Sequence, residues 1–366
     1  VKRGAVIRVM QEGKAWSIIQ MPEVQSAFVA ANTNDGAIRA LVGGFDFNRN
    51  KFNHVTQAWR QPGSSFKPFI YSASLEKGLS PSTIINDAPI SFDAGQTGGQ
   101  PWEPKNYDGK YDGPMTMRKG LAKSKNMISI RILHKIGAKY GQEYITRFGF
   151  DADKNPPYLT LALGAGAVTP LQMAAAYSVF ANGGYKISPY MISRITDANG
   201  KLLSEVKPDM AGDEANRAID PRNAFLMDSM LKGVVTSGTA IKAMALKRTD
   251  LAGKTGTTND SFDAWFAGYQ PNIVGIAWIG FDQPKNLGNR ETGGGLALPI
   301  WINYMQKALK DVPMVDRTVP EGIITVNGEY YYAESPPGLG VRNLDAGEAS
   351  SPSNAPTKDE VKNELF

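Results

Sequence analysis

Strand-forming signals gather at the two ends of this chain, with a long helical stretch between them. Ser26 to Ala31 and Ala37 to Val42 flank Asn32-Thr33-Asn34-Asp35-Gly36, where Asp-Gly permits the positive φ that a tight hairpin demands. The β signal then lapses until Ala252 to Thr257, Asp263 to Tyr269 and Ile273 to Phe281. From about residue 67 to 248 the pattern is mainly helical, with apolar residues at helical spacing in Met127 to Ile136, Leu171 to Phe180 and Ala224 to Val234; Pro299 to Leu309 reads as a closing helix. Strands divided in this way complete one sheet only if early and late segments pair. The expectation is therefore an α+β fold, a five-stranded antiparallel sheet sandwiched by helices.

The remaining segments read as attachments. Residues 1–22 carry two short strands, Ala5 to Met10 and Ala15 to Met21, around Glu12-Gly13, as a linker remnant would. The main unit spans 23–310. Beyond it, Ile323 to Val326 and Glu329 to Tyr332 surround Asn327-Gly328, a hairpin signal within a small C-terminal β appendage, 311–344. Pro, Ser, Asn and charges dominate 345–366, which reads as a disordered tail. The chain opens on Val1 rather than Met, as a piece of a longer protein would, and has no run of 18 apolar residues.

Composition narrows the chemistry. There is no Cys, and the two His, His54 and His134, are read as surface or packing residues, so thiol nucleophiles, disulfides and zinc sites of the usual kind drop out. No metal and no cofactor is expected. The net charge is +5, but Lys and Arg are scattered rather than clustered, so nucleic acid is not an expected partner. Any general base must be Lys, Asp, Glu or Tyr.

Three short motifs answer that requirement: Ser64-Ser65-Phe66-Lys67, then Ser124-Lys125-Asn126, then Lys254-Thr255-Gly256. Ser-x-x-K spacing alone is cheap, since Ser74 to Lys77, Ser204 to Lys207 and Ser229 to Lys232 share it. Ser64 differs because Gln61-Pro62-Gly63 delivers the chain into a helix, placing Ser64 at its N-terminus and Lys67 one turn on, on the same face. Lys67 can take the serine proton only when neutral, so burial and a nearby cation, Lys254, must pull it well below its usual value near 10.4. Ser124 would bridge the two lysines, and Asn126 would hold Lys67 and a substrate amide. Ser64 N–H and Thr257 N–H would form an oxyanion hole. Gly256 would let a substrate backbone approach, while Thr255, Thr257 and Thr258 line the strand and the threonine hydroxyls, with Lys254, grip a carboxylate. Trp102 would line the cleft or pack as a loop aromatic, and Gly293-Gly294-Gly295, without a following Lys-Ser/Thr, reads as a cleft-edge loop.

With these motifs, the segments Arg60 to Phe69, Trp102 to Tyr107, Thr236 to Ala240, Gly253 to Asn259 and Asp263 to Gly268 resemble the transpeptidase domain of class A penicillin-binding proteins, over roughly 22–310. The resemblance implies the serine β-lactamase-like fold and a D,D-transpeptidase. In that family the D-Ala-D-Ala end of a peptidoglycan stem peptide acylates the serine, D-Ala leaves, and an amine of a neighbouring stem takes the acyl group; β-lactams acylate the same serine. It also implies a Gram-negative owner whose full-length protein is anchored in the inner membrane, faces the periplasm, works in cell-wall synthesis complexes and carries a glycosyltransferase domain that this sequence lacks. The acceptor amine is not fixed by the sequence.

The competing readings are a β-lactamase and a non-catalytic β-lactam sensor. Fast deacylation in class A β-lactamases uses a Glu commonly set as Glu-x-x-x-Asn between the second and third motifs. Only Glu143, Glu205 and Glu214 fall there, none with Asn at the fourth place, so a long-lived acyl-enzyme is expected, with carboxypeptidase release to water as a compatible side reaction. A sensor would acylate once, without turnover.

Overall fold

The computed structural model describes residues 1–94, 100–289 and 291–344. The chain begins with a mostly exposed hairpin, β1 (Arg8–Glu12) and β2 (Ala15–Ile19), that pairs with no other strand among the described residues. A second hairpin follows, β3 (Gln25–Asn32) and β4 (Ile38–Val42). Its turn uses the Asp-Gly pair as expected: Gly36 sits at φ +78°, and the Asp35 carboxylate accepts from Ala37 N–H at 2.9 Å.

The middle of the chain is helical but not uniformly so. Helix α1 (Lys67–Leu75) is buried along its whole length, which suits its lack of a charged face. Its polar members find partners inside: Ser72 Oγ donates to Asn223 Oδ1 at 2.7 Å and Ser74 Oγ to Tyr71 O at 2.7 Å. Next come β5 (Ile84–Asp87), β6 (Gly113–Thr116), α2 (Met117–Ala122), α3 (Asn126–Ile136), α4 (Ala138–Ile145), α5 (Pro170–Ala181), the short exposed hairpin β7 (Arg194–Thr196) and β8 (Leu202–Glu205), and α6 (Pro221–Ser237). The four strands β5 to β8 break the expected helical run. They are three or four residues long, too short for a period-two pattern to stand out in the sequence.

Strands β9 (Ala252–Thr257), β10 (Asp263–Gln270) and β11 (Ile273–Gly280) then complete the main sheet in the order β4-β3-β11-β10-β9, all antiparallel. β11 pairs with β3, Val29 opposite Ile276, so the early and late strands do join. Alternation along β10 defines the two faces. Tyr269 points one way, donating to Asp228 of α6 at 3.0 Å; Phe266 points the other way, 5.0 Å from Trp301 of α7 (Leu298–Ala308). Gly275 makes room for that tryptophan, whose ring atoms lie 2.9 Å from where a Cβ would stand. The result is an α+β sandwich with β9 as its open edge.

The C-terminal hairpin, β12 (Ile323–Val326) and β13 (Glu329–Tyr332), docks through Arg118 Nε donating to Glu329 at 2.7 Å and Arg222 to Glu334 at 2.8 Å. β14 (Asn343–Leu344) runs parallel to β5. The expected tail, 345–366, lies outside the described residues. No helix among the described residues is long and apolar enough to cross a membrane.

Candidate active site

The turn before α1 delivers Ser64. Gly63 has φ +54°, and a Cβ there would meet Thr257 O at 2.6 Å, so the chain both turns and touches β9 at this glycine. A 3-10 turn, Gly63–Phe66, carries Ser64, and α1 begins at Lys67 with Pro68 in its first turn, where its missing N–H costs nothing. The turn is fixed from three sides: Ser65 Oγ donates to Pro62 O at 2.7 Å, Tyr177 OH to Ser65 O at 2.6 Å, and Trp265 Nε1 to Gln61 O at 2.8 Å. Ser64 is half-buried and lines a groove of about 1030 Å³. Its N–H lies in the first turn, whose donors have no partner further up the helix.

Beneath the groove, Lys67 and Lys254 are both fully buried and meet at Ser124. Lys67 Nζ donates to Ser124 O and Asn126 Oδ1, each at 2.8 Å, and lies 3.4 Å from Ser124 Oγ. Lys254 Nζ donates to Ser124 Oγ at 2.7 Å and Thr255 O at 3.1 Å. Neither lysine has a carboxylate partner among the described residues. Burial, reinforced by the Lys254 charge and opposed by Asp87, holds Lys67 well below the ordinary lysine range; burial alone brings Lys254 to about 7. The charge of Lys254 adds to burial in favouring the neutral form of Lys67. A neutral Lys67 spends its two hydrogens on Ser124 O and Asn126 Oδ1, which leaves its lone pair free to accept.

Ser124 presents both its carbonyl and its hydroxyl to these lysines because its backbone is left-handed, φ +58°. It closes α2 in a Schellman arrangement: Lys125 N–H donates to Gly120 O and Ser124 N–H to Leu121 O, both at 3.0 Å. Glycine usually takes that position. Serine there costs on the order of 1 kcal/mol but supplies the hydroxyl that glycine lacks.

The third wall is the edge of β9. Thr258 N–H donates to Asp263 O, so by antiparallel alternation Gly256 and Lys254 also bond to β10, while Thr255 and Thr257 turn their N–H groups to the open edge. Thr257 N–H thus faces the groove next to Gly63. Thr255 Oγ1 lies 2.6 Å from Thr239 Oγ1, and Thr257 Oγ1 accepts from Gly293 N–H at 3.1 Å. The Gly293–Ala297 segment is a single π-helical turn at the groove's edge rather than a loop, and Gly294 lines it.

Ser64, Ser124, Asn126, Thr255, Thr257, Thr258 and Trp102 all line the one groove, with Lys67 and Lys254 below it. One expectation needs correction. Gly256 does not face the groove: it shares the face of Lys254, and a Cβ there would strike Pro62 O at 2.4 Å and Ser65 Oγ at 2.8 Å, so its missing side chain admits the Ser64 turn instead of a substrate. Ser64 Oγ makes no hydrogen bond among the described residues, because Lys67 is engaged by Ser124 and Asn126; such contacts often tighten only when substrate arrives. His54 is a packing residue, 1% exposed, its ring nitrogens 2.6 Å from Gly43 O and 2.7 Å from Asp282.

The motifs alone concealed several supports. Asn106 accepts from Asn126 N–H at 2.8 Å and donates to Asp87 at 2.7 Å, and Asn126 Nδ2 donates to Lys105 O at 2.8 Å. Asn106 belongs to the Trp102 to Tyr107 segment; Asp87 carried no signal of its own.

A groove-lining serine hydroxyl above buried lysines whose pKa burial lowers, with a helix-start N–H and an edge-strand N–H beside it, is the equipment of a serine acyl-transfer enzyme. The family described as penicillin binding protein transpeptidase domain matches residues 26–306, and the chain belongs to that family. Penicillin-binding protein 1A of Neisseria lactamica is 51% identical over 356 residues, covering 96% of this chain and 44% of the relative. Its counterpart from Pseudomonas aeruginosa is 45% identical over 88% of this chain and 45% of its own length. The chain thus spans less than half the length of these curated relatives. The crystal structure of penicillin-binding protein 1A from Haemophilus influenzae superposes with a TM-score of 0.85 at 39% identity, over 90% of this chain and 56% of that one. PonA1 from Mycobacterium tuberculosis in complex with penicillin V gives 0.70 at 26% identity, over 87% and 85%.

Proposed function

We propose that this domain is a peptidoglycan D,D-transpeptidase in which Ser64 is the nucleophile and Lys67 its base. The observation that carries this reading is the Lys67–Ser124–Lys254 chain: two buried amines without a carboxylate partner among the described residues, joined by one hydroxyl, directly under the groove that Ser64 lines. Ser64 Oγ attacks the carbonyl of the penultimate D-Ala while its proton passes to neutral Lys67. Negative charge forming on the carbonyl oxygen is met by Ser64 N–H and Thr257 N–H. The proton then moves through Ser124 Oγ to the departing D-Ala nitrogen, leaving an acyl ester on Ser64. An amine from a second stem attacks that ester, its proton returns by the same route, and a cross-link forms. Lys254 and the Thr255 and Thr257 hydroxyls hold the terminal carboxylate. Asn126 keeps one amide hydrogen free for the substrate backbone.

β-Lactams place a strained amide on the same serine, and we infer a long-lived adduct: Glu143, Glu205 and Glu214 do not line the groove. The full-length protein is proposed to be membrane-anchored, periplasmic and part of wall-synthesis assemblies. The test is intact-mass spectrometry after incubation with benzylpenicillin. The wild-type domain gains the mass of one antibiotic and keeps it for hours, and Ser64→Ala gains none while melting within a few degrees of wild type. Labelling retained by Ser64→Ala would move the nucleophile elsewhere.

A further inference from the structure

The middle residue of the second motif has no part in the mechanism above, and a lysine just past a helix end normally extends into solvent. Lys125 does the reverse. It is 5% exposed, and its Nζ lies 3.2 Å from Asp87, 3.4 Å from Asp112 and 3.5 Å from Asp108, and donates to Lys110 O at 3.2 Å. Asp87 is itself fully buried and reaches both flanks of the turn: Oδ2 faces Lys125 and accepts from Asp112 N–H at 2.9 Å, while Oδ1 accepts from Asn106, which in turn caps Asn126.

We propose that Lys125 is a positioning residue for the acylation: held by Asp87, Asp108 and Asp112, it keeps Ser124 in its left-handed conformation and partly offsets the charge of Asp87 beside Lys67. The role rests on the reading of Lys67 as the base. Geometry supports the first half. Lys125 directly follows Ser124, the Schellman bonds leave it one way to project, and a buried ammonium anchored by three carboxylates fixes the peptide between them. Electrostatics supports the second. The Asp87 carboxylate pushes Lys67 upward, against the burial and the Lys254 charge that pull it down, and Lys125 is the cation in contact with that carboxylate.

Among the described residues, Lys125 is the cation paired with Asp87. Lys67 faces Lys254 from β9, Ser124 and Asn126 from the turn, and Tyr71 shares its helix. Around Asp87, Lys123 pairs with Asp112 at 2.7 Å, and Arg131 of α3 donates to Ala88 O at 2.9 Å and to Pro89 O. Burial pulls Lys125 down, but the Asp87 bond and the charges of Asp87, Asp108 and Asp112 outweigh it, so Lys125 stays above the usual lysine value and charged through the working range.

The experiment is the pH profile of benzylpenicillin acylation, followed by intact mass. Lys125→Met should move the acid limb of the profile upward by about one unit, slowing acylation up to about tenfold along that limb and less above it, because Asp87 then acts on Lys67 unopposed. Lys125→Arg should leave the limb where it is. Asp87→Asn, which keeps Asp108 and Asp112 around Lys125, should move it downward. If Lys125→Met does not fold, the Asp87→Asn displacement decides. A limb that stays put in both variants, or a loss that is equal at every pH, would overturn the proposal. Failure of the underlying reading looks different: the wild type would take no penicillin, or Ser64→Ala would.

Discussion

Two buried ammonium sites stand back to back across the Ser124–Asn126 turn, and their neighbours drive them in opposite directions. On the groove side, the hydrogen-bond partners of Lys67 and Lys254 among the described residues are hydroxyl, carbonyl and amide oxygens, and burial lowers both. On the far side, Lys125 sees three carboxylates and is raised. Depth alone does not set the protonation of a lysine; whether an acid compensates it does. One turn thus separates the proposed base, which must be neutral, from a cation that must not be.

The sharpest way to break this contrast is Lys67→Arg. Arginine keeps a positive charge and hydrogen-bond donors but cannot lose its proton, so it turns the base site into a second permanent cation. Acylation by benzylpenicillin should fall about a thousand-fold, the scale of general-base catalysis, with no recovery at high pH. Stopped-flow or timed mass measurements decide it. A rate that survives would mean that the charge of Lys67, not its neutral form, is what the site uses.

Much of this was legible in the sequence. The ordered motifs, the Asp35-Gly36 turn and the strand signals at both ends suffice for the sheet, because each is local. α3, α5, α6 and α7 fall within a few residues of their apolar repeats for the same reason. What escaped depends on distant partners. β5 is four residues held between β6 and β14, the latter arriving from the far end of the chain. Asp87 reads as one more turn acid until the fold brings Lys125 and Asn106 to it. Gly256 was rightly marked as a place of close approach, but parity along β9, fixed only by pairing with β10, decides that the Ser64 turn and not a substrate takes the space.

A second test concerns stability. Lys254 titrates at about 7 when folded and near 10.5 when unfolded. Between those values the unfolded chain binds a proton that the folded one does not, so stability rises with pH across that window and is flat below it. Lys254→Met removes the buried amine and should melt a few degrees higher than wild type at neutral pH, with a shallower rise toward alkaline pH, while losing acylation of carboxylated β-lactams. Thermal melts over a pH series check both signs. A variant that melts lower at neutral pH would show that the Ser124 and Thr255 bonds outweigh the desolvation of Lys254.

The smallest effect isolates the uncharged part of the groove wall. Thr255 Oγ1 and Thr239 Oγ1 share a hydrogen bond of 2.6 Å, so one hydroxyl orients the other beside Lys254. Thr255→Val keeps the volume and removes one neutral donor, worth about 1 kcal/mol, so acylation by carboxylated β-lactams should fall roughly fivefold. Thr239→Val, acting only through orientation, should cost less. Methyl esters of the same drugs should be nearly indifferent to either change, since the hydroxyl's partner, the carboxylate charge, is gone. Equal losses on acid and ester would make the threonines packing residues and leave carboxylate recognition to Lys254 alone.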